Sequence, residues 1–123
     1  MHRVEKFTIE ENKCRLAWEF KGEIYYKSYL HAINCAIVLR DETGIVVVGS
    51  YNEFGMSNAF IINADGSLRT CIKIPKDIKK MICFHEIYYA NRELTGVIAC
   101  IDRDYSCIID DMSGDCRGLH ETR

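Results

Sequence analysis

The chain has 123 residues, 48% of them apolar and 28% charged, which fits one globular domain and argues against disorder of the whole chain. A net charge of −2 and an isoelectric point near 6.1 argue against a general nucleic-acid binder, which usually carries a basic face. No apolar stretch approaches the roughly 20 residues of a membrane helix, and the charged first eleven residues do not resemble a signal peptide. We therefore expect a cytoplasmic protein that contacts neither nucleic acid nor membrane.

Strand signals dominate the chain after residue 15. β-Branched and aromatic residues are concentrated in short segments, and turn signals such as Lys21-Gly22 and Asp65-Gly66 separate them. No segment has a long apolar stripe of helical period, and residues 3–13 fit either a strand or a short helix. The pattern predicts an all-β fold of antiparallel sheets with about nine or ten strands. The predicted strands are residues 16–20, 24–29, 35–39, 45–49, 59–62, 68–74, 82–89, 97–101 and 107–109.

Parts of the chain match each other at an offset of 48 residues. Residues 33–35 match residues 81–83. Ile61 and Gly66 likewise match Ile109 and Gly114. The period and the strand count resemble the blade of a β-propeller, which implies a half-propeller-like stack too short to close. A β-sandwich or a barrel is the alternative. The expected organisation is a single domain over 1–123, with a half repeat at 14–30 and four-strand units at 31–75 and 81–120.

Seven cysteines are many for this length, and without a secretion signal we expect free thiols. Most lie among β-type apolar residues, where a free cysteine packs as a small hydrophobe. Cys83 and His85 would share one face of a strand, and Cys35 is a conceivable third ligand. Structural zinc sites usually have paired Cys-x₂-Cys spacing, which is missing here, so we expect neither a metal nor a cofactor.

Catalytic motifs are also missing from the sequence. The chain has no Gly-x-Ser-x-Gly elbow and no phosphate-binding glycine loop. A small β domain without such motifs is more often a binding module than an enzyme, so we expect a non-enzymatic protein.

Acidic residues are in excess at the C-terminal end of the chain. Residues 101–123 contain six acidic side chains against three arginines, a balance that suits turns or a patch for a basic partner. A second candidate contact is the long loop at 50–58, which carries aromatic residues suited to interfaces. The predicted partner-binding residues are Asp102, Asp104, Asp110, Asp111, Tyr51, Glu53 and Phe54.

In these general traits the chain resembles bacterial immunity proteins of the contact-dependent growth inhibition type. Such proteins are small, cytosolic, often acidic and without a shared motif. The resemblance implies a monomer that binds one cognate toxin, such as a basic nuclease, and occludes its active site. The alternative is a small-molecule-binding or enzymatic β-barrel, with an interior lined by Trp18, Tyr25 and Tyr88 and with His85 as a polar group.

Overall fold

A computed structural model describes residues 2–122 and contains eleven strands and one four-residue helix in that range. The all-β prediction is confirmed, with slightly more strands than expected. No helix within residues 2–122 is long and apolar enough to cross a membrane. In chain order the elements are β1 (Glu5–Glu10), β2 (Arg15–Phe20), β3 (Glu23–Ser28), β4 (Cys35–Val38), β5 (Gly44–Val48), α1 (Tyr51–Phe54), β6 (Ala59–Asn63), β7 (Leu68–Cys71), β8 (Met81–Ala90), β9 (Glu93–Cys100), β10 (Asp104–Ile109) and β11 (Cys116–Glu121).

The strands form three antiparallel sheets, and within each sheet they lie in chain order. Sheet A contains β1, β2 and β3; sheet B contains β4 to β7; sheet C contains β8 to β11. Two hairpins, β2–β3 and β8–β9, close with tight two-residue turns whose residues adopt positive φ. Lys21 and Gly22, with φ of 55° and 78°, close the β2–β3 hairpin as the sequence predicts.

Sheet B is the middle layer of the molecule. Every residue of β5 is buried, because its alternating side chains enter two different cores. Ile45 and Val47 pack against Trp18 of sheet A, whereas Val46 and Val48 pack against Phe84 of sheet C. A strand buried on both faces needs an unbroken apolar sequence, which explains the Ile-Val-Val-Val run.

The three sheets do not close into a barrel over residues 2–122, so the barrel alternative is wrong and the sandwich alternative fits. The residues expected to line the barrel interior lie in different parts of the structure. Trp18 and Tyr25 stack with ring centroids 5.8 Å apart beside the core between sheets A and B. His85 and Tyr88 lie exposed on β8. The resemblance of the stack to propeller blades stays a prediction.

All seven cysteines are free thiols. Cys83, Cys100 and Cys107 are buried, as the prediction of hydrophobic packing requires. Cys71 is exposed at the end of β7.

The strands of sheets B and C give the stack two distinct ends. Cys35 Sγ contacts the main chain of Ile87, and Arg40 N–H donates to the Tyr89 hydroxyl at 2.8 Å, so β4 and β8 run in the same direction. The end where β4 and β8 begin carries α1 and the 101–103 loop, and we call it the helix end. The opposite end carries the short connections at 39–43, 64–67, 91–92 and 110–115, and we call it the turn end.

Candidate protein-binding site

The predicted acidic residues lie at opposite ends of the stack. At the helix end, Asp102 precedes β10 and Asp104 is its first residue. At the turn end, Asp110 and Asp111 follow β10. Six residues of extended chain separate Asp104 from Asp110, which is about 20 Å. The predicted acidic residues are therefore divided between the two ends of the stack, because β10 runs between Asp104 and Asp110.

Several of these carboxylates are engaged within the chain. Asp102 forms a 3.0 Å ion pair with Lys80. Asp110 Oδ1 accepts from the main-chain N–H groups of Ser113 and Met112, both at 2.9 Å, and these bonds hold the pKa of Asp110 below its usual value. Asp110 therefore stabilises the β10–β11 turn. Within residues 2–122, no side-chain hydrogen bond or ion pair is formed by Asp104 or Asp111.

Two further ion pairs engage Asp115 and Glu121, which leaves Asp104 and Asp111 as the C-terminal carboxylates without a side-chain partner in residues 2–122. Asp115 pairs with Lys73 at 2.8 Å, and Glu121 pairs with Arg103 at 2.6 Å. All four side chains are more than half exposed, so solvent screens these pairs and each stabilises the fold little. Their effect is to make the surface mixed in charge rather than acidic.

The loop predicted as a contact surface folds into α1 at the helix end. The Ser50 hydroxyl caps the helix by accepting from Asn52 N–H at 3.1 Å, and Gly55, with φ of 66°, ends it. Phe54 points inward, with its ring 5.3 Å from that of Phe60 between centroids. A Cβ added at Gly49 would lie 2.4 Å from the Phe54 ring, so only glycine permits this packing. Phe54 therefore anchors the loop and is only half-exposed, and its role as a contact residue stays a prediction.

Glu53 joins α1 to the segment between sheets A and B. Its Oε1 accepts from His31 N–H at 3.0 Å. Next to this contact, the Tyr29 ring lies 6.0 Å from the Phe54 ring between centroids. Burial and the nearby Glu53 carboxylate raise the pKa of Tyr29 to about 12. Glu53 thus holds two loops together, and its second carboxylate oxygen makes no further bond within the described residues.

Three large apolar side chains that lie within three residues of His31 or Glu53 in the chain are exposed. Leu30 is 85% exposed, Tyr51 is 52% exposed and Met56 is 43% exposed. We call these three residues the apolar rim. Tyr51 was predicted as a contact residue, whereas Leu30 was missed. A leucine between a strand end and a polar loop is the signal that identifies it.

The turn end carries an open groove lined mainly by charged side chains. Its lining includes three arginines, Arg40, Arg92 and Arg117, together with Asp110 and Asp111. Charges of both signs alternate around it, which gives no preference for one kind of ion. No group of three or more His, Cys, Asp or Glu within residues 2–122 is placed to hold a metal ion.

One serine–histidine pair has the spacing of a nucleophile and a base. Ser106 Oγ lies 2.8 Å from His120 Nε2, and His120 Nδ1 lies 2.8 Å from the Gly118 carbonyl oxygen. Catalysis requires a nucleophile that a substrate can reach. Ser106 is only 5% exposed, so the pair serves to join β10 to β11.

Comparison with known proteins supplies one likeness of fold. No protein-family model matches the chain, and no curated protein matches it in sequence. A chain in the solved structure of Tne2 in complex with Tni2 superposes with a TM-score of 0.67 and 13% sequence identity. The match covers 89% of this chain and 77% of that one. At this identity the likeness shows a shared fold.

Proposed function

We propose that the chain is a protein-binding module that acts as an immunity protein: it binds a cognate bacterial toxin and occludes its active site. The observation that carries the proposal is the apolar rim on a pre-organised surface. Leu30, Tyr51 and Met56 are exposed, while Glu53 and Phe54 hold the loops that present them. Rigid presentation of apolar anchors lowers the entropy lost on binding, and tyrosine is enriched among the residues that dominate interfaces.

The comparison of folds supports a role in binding another protein. The matched chain comes from a complex between two proteins, Tne2 and Tni2. The immunity role itself draws on the sequence resemblance to toxin-neutralising proteins. A cytoplasmic location and one toxin per chain belong to the same proposal.

The polar border of the proposed interface lies at the same end of the stack. Asp102, Asp104 and Glu53 share the helix end with the apolar rim, and Asp104 is exposed without an internal partner in residues 2–122. A basic partner remains a prediction that rests on these carboxylates. Asp110 and Asp111 lie at the turn end, about 20 Å along β10 from Asp104, and we leave them outside the proposed interface.

Co-expression with the product of the adjacent gene tests the immunity role. We expect that product to arrest growth when expressed alone, and growth to recover when this chain is expressed with it. The two proteins should then co-elute as a stoichiometric complex. Growth arrest that persists although both proteins are present in soluble form would contradict the proposal.

A matched pair of variants tests the assigned surface. The rim variant Leu30→Ser/Tyr51→Ser/Met56→Ser removes three exposed apolar side chains at the helix end. The control Leu68→Ser/Met112→Ser removes exposed apolar side chains at the turn end. Truncating one central anchor typically costs about 2 kcal/mol or more, which is about 30-fold in affinity. The rim variant should therefore bind at least about 30-fold more weakly, the loss expected if one of its three side chains is such an anchor. The control should bind like the wild type.

A further inference from the structure

The exposed edges of the three sheets differ in how they are protected. An edge strand presents unpaired N–H and C=O groups, and proteins block such edges with bulges, charges or covering segments. Four of the six edge strands of residues 2–122 have a break in register with their neighbour: β1, β7, β8 and β11. β4 is only four residues long, and its contacts with β8 through Cys35 and Arg40 cover it.

β3 is the exception among the edges that the structure describes. It pairs with β2 in six consecutive register positions without a shift, from Phe20 opposite Glu23 to Arg15 opposite Ser28. It contains no proline and no bulge. Sheet A also has three strands, whereas sheets B and C have four each.

The hairpin geometry shows which main-chain groups of β3 face outward. In a two-residue hairpin, the residues that flank the turn form a hydrogen-bonded pair, and such pairs alternate along the strands. Glu23, Tyr25 and Lys27 therefore bond to β2. The N–H and C=O groups of Ile24 and Tyr26 point away from β2 and have no partner in residues 2–122.

The side chains at this edge are apolar and solvent-exposed. Ile24 is 61% exposed and Tyr26 is 54% exposed, both on the outer face of sheet A. Arg15 lies over the Tyr26 ring at 4.7 Å and fixes its orientation. A regular edge with exposed apolar side chains can accept another strand by main-chain pairing.

We propose that β3 is a self-association site that pairs antiparallel with β3 of a second copy of the chain. The sequence of β3 is complementary to itself in one register. When Ile24 lies opposite Tyr26 of the second copy, Glu23 lies opposite Lys27 of that copy, and the two-fold axis repeats both pairs. The free main-chain groups of Ile24 and Tyr26 then bond to each other, and the two A sheets form one six-stranded sheet.

The expected dimer is weak because one edge of six residues buries little surface. Interfaces at the small end of the range belong to transient associations. Cross-strand pairs of opposite charge and of apolar residues each contribute modestly. The dimer should therefore form at micromolar or higher concentration. This association does not depend on toxin binding, because β3 and the apolar rim are different surfaces.

Charge reversal at Glu23 and Lys27 tests the register as well as the association. Sedimentation velocity over a concentration series should show a monomer–dimer equilibrium for the wild type. Glu23→Lys and Lys27→Glu each create two repulsive pairs, so each variant should dimerise about tenfold more weakly. An equimolar mixture of the two variants should associate again, because every pair in the mixed dimer is then attractive. The double variant should likewise dimerise within about twofold of the wild type.

Glu86→Lys and Lys79→Glu are the matched controls, because they make the same charge changes at exposed positions away from β3. They should dimerise like the wild type. A wild-type chain that stays monomeric at the highest soluble concentration would overturn the proposal. Dimerisation that is unaffected by the single variants, or single variants that do not associate when mixed, would also overturn it.

Discussion

Asn58 is the buried polar residue whose removal should cost most stability. It is 0% exposed and lies at the helix end, between sheets B and C. Its amide nitrogen donates to the carbonyl oxygens of Gly49 and Phe84, and its oxygen accepts from Phe84 N–H, all at 2.8 Å. The Asn58 side chain thus bonds to the main chain of Phe84 as a neighbouring strand would. The register between β8 and β9 shifts directly after Phe84.

Asn58→Ala should lower the free energy of unfolding by about 4–6 kcal/mol. Each hydrogen bond contributes about 1 kcal/mol net, and buried main-chain groups left without a partner cost a further 1–3 kcal/mol. Asn58→Asp tests the geometry, because a second carboxylate oxygen would face two carbonyl oxygens. We expect Asn58→Asp to be as destabilising as Asn58→Ala at neutral pH.

Urea unfolding followed by the fluorescence of the buried Trp18 measures both changes. Asn52→Ala is the control, because the Asn52 side chain is exposed and makes no hydrogen bond within residues 2–122. Surface substitutions of this kind usually change stability by no more than about 0.5 kcal/mol. A loss below about 1 kcal/mol for Asn58→Ala would show that the three hydrogen bonds of Asn58 do not stabilise the fold as we infer.

Three further predictions concern stability. Gly22 and Gly114 share a φ of 78°, but only at Gly114 would a Cβ meet the chain, 2.5 Å from the Cys71 carbonyl oxygen; Gly114→Ala should therefore cost about 1–3 kcal/mol more than Gly22→Ala in urea unfolding. Trp18→Phe removes a buried 2.7 Å hydrogen bond to the Ala64 carbonyl oxygen directly after β6. It should lower the unfolding free energy by about 2–3 kcal/mol in urea unfolding followed by far-ultraviolet circular dichroism, because the variant lacks the chain's one tryptophan. The Tyr29 pKa of about 12 exceeds the usual value near 10, so the unfolded chain loses its proton first and stability falls as pH rises from about 10 to about 12. Tyr29→Phe should lose about 1 kcal/mol less over this range, a magnitude reduced for the partial exposure of the ring.

Each of these predictions has an outcome that would contradict it. Equal losses for the two glycine variants would show that the Cys71 carbonyl yields to the added methyl group. A Trp18→Phe variant as stable as the wild type would show that the Trp18 hydrogen bond does not stabilise the fold. Identical pH profiles for the wild type and Tyr29→Phe would mean that the Tyr29 phenol is solvated in the folded chain.

The strands of the three sheets were predictable where local pattern and burial agree. The run Ile45–Val48 and the turn Lys21-Gly22 each identify their structure without tertiary information. Only the four-strand repeat unit at 81–120 predicts a strand where β11 lies. The local pattern does not, because β11 contains Gly118 and charged residues and its strand character comes from pairing with β10. β1 was ambiguous because its edge carries a bulge and Lys6 has a φ of 52°.

The candidate site was predictable only in part, because its geometry depends on contacts between distant segments. Asp104 and Asp110 are neighbours in the sequence, yet one strand length separates them in space. Leu30 and Tyr51 are distant in the sequence, yet the His31–Glu53 hydrogen bond joins their loops. Phe54 is half-buried, because its ring packs against those of Phe60 and Tyr29 from distant segments.

Hydrogen–deuterium exchange of the complex tests the central claim most directly. The chain would be compared alone and bound to the adjacent-gene product that it neutralises. We predict new protection at residues 29–34, 50–58 and 101–104, and unchanged exchange at residues 39–43 and 110–115. Protection confined to the turn end, or no change in exchange at the apolar rim, would contradict the assignment of the helix end as the toxin-binding surface.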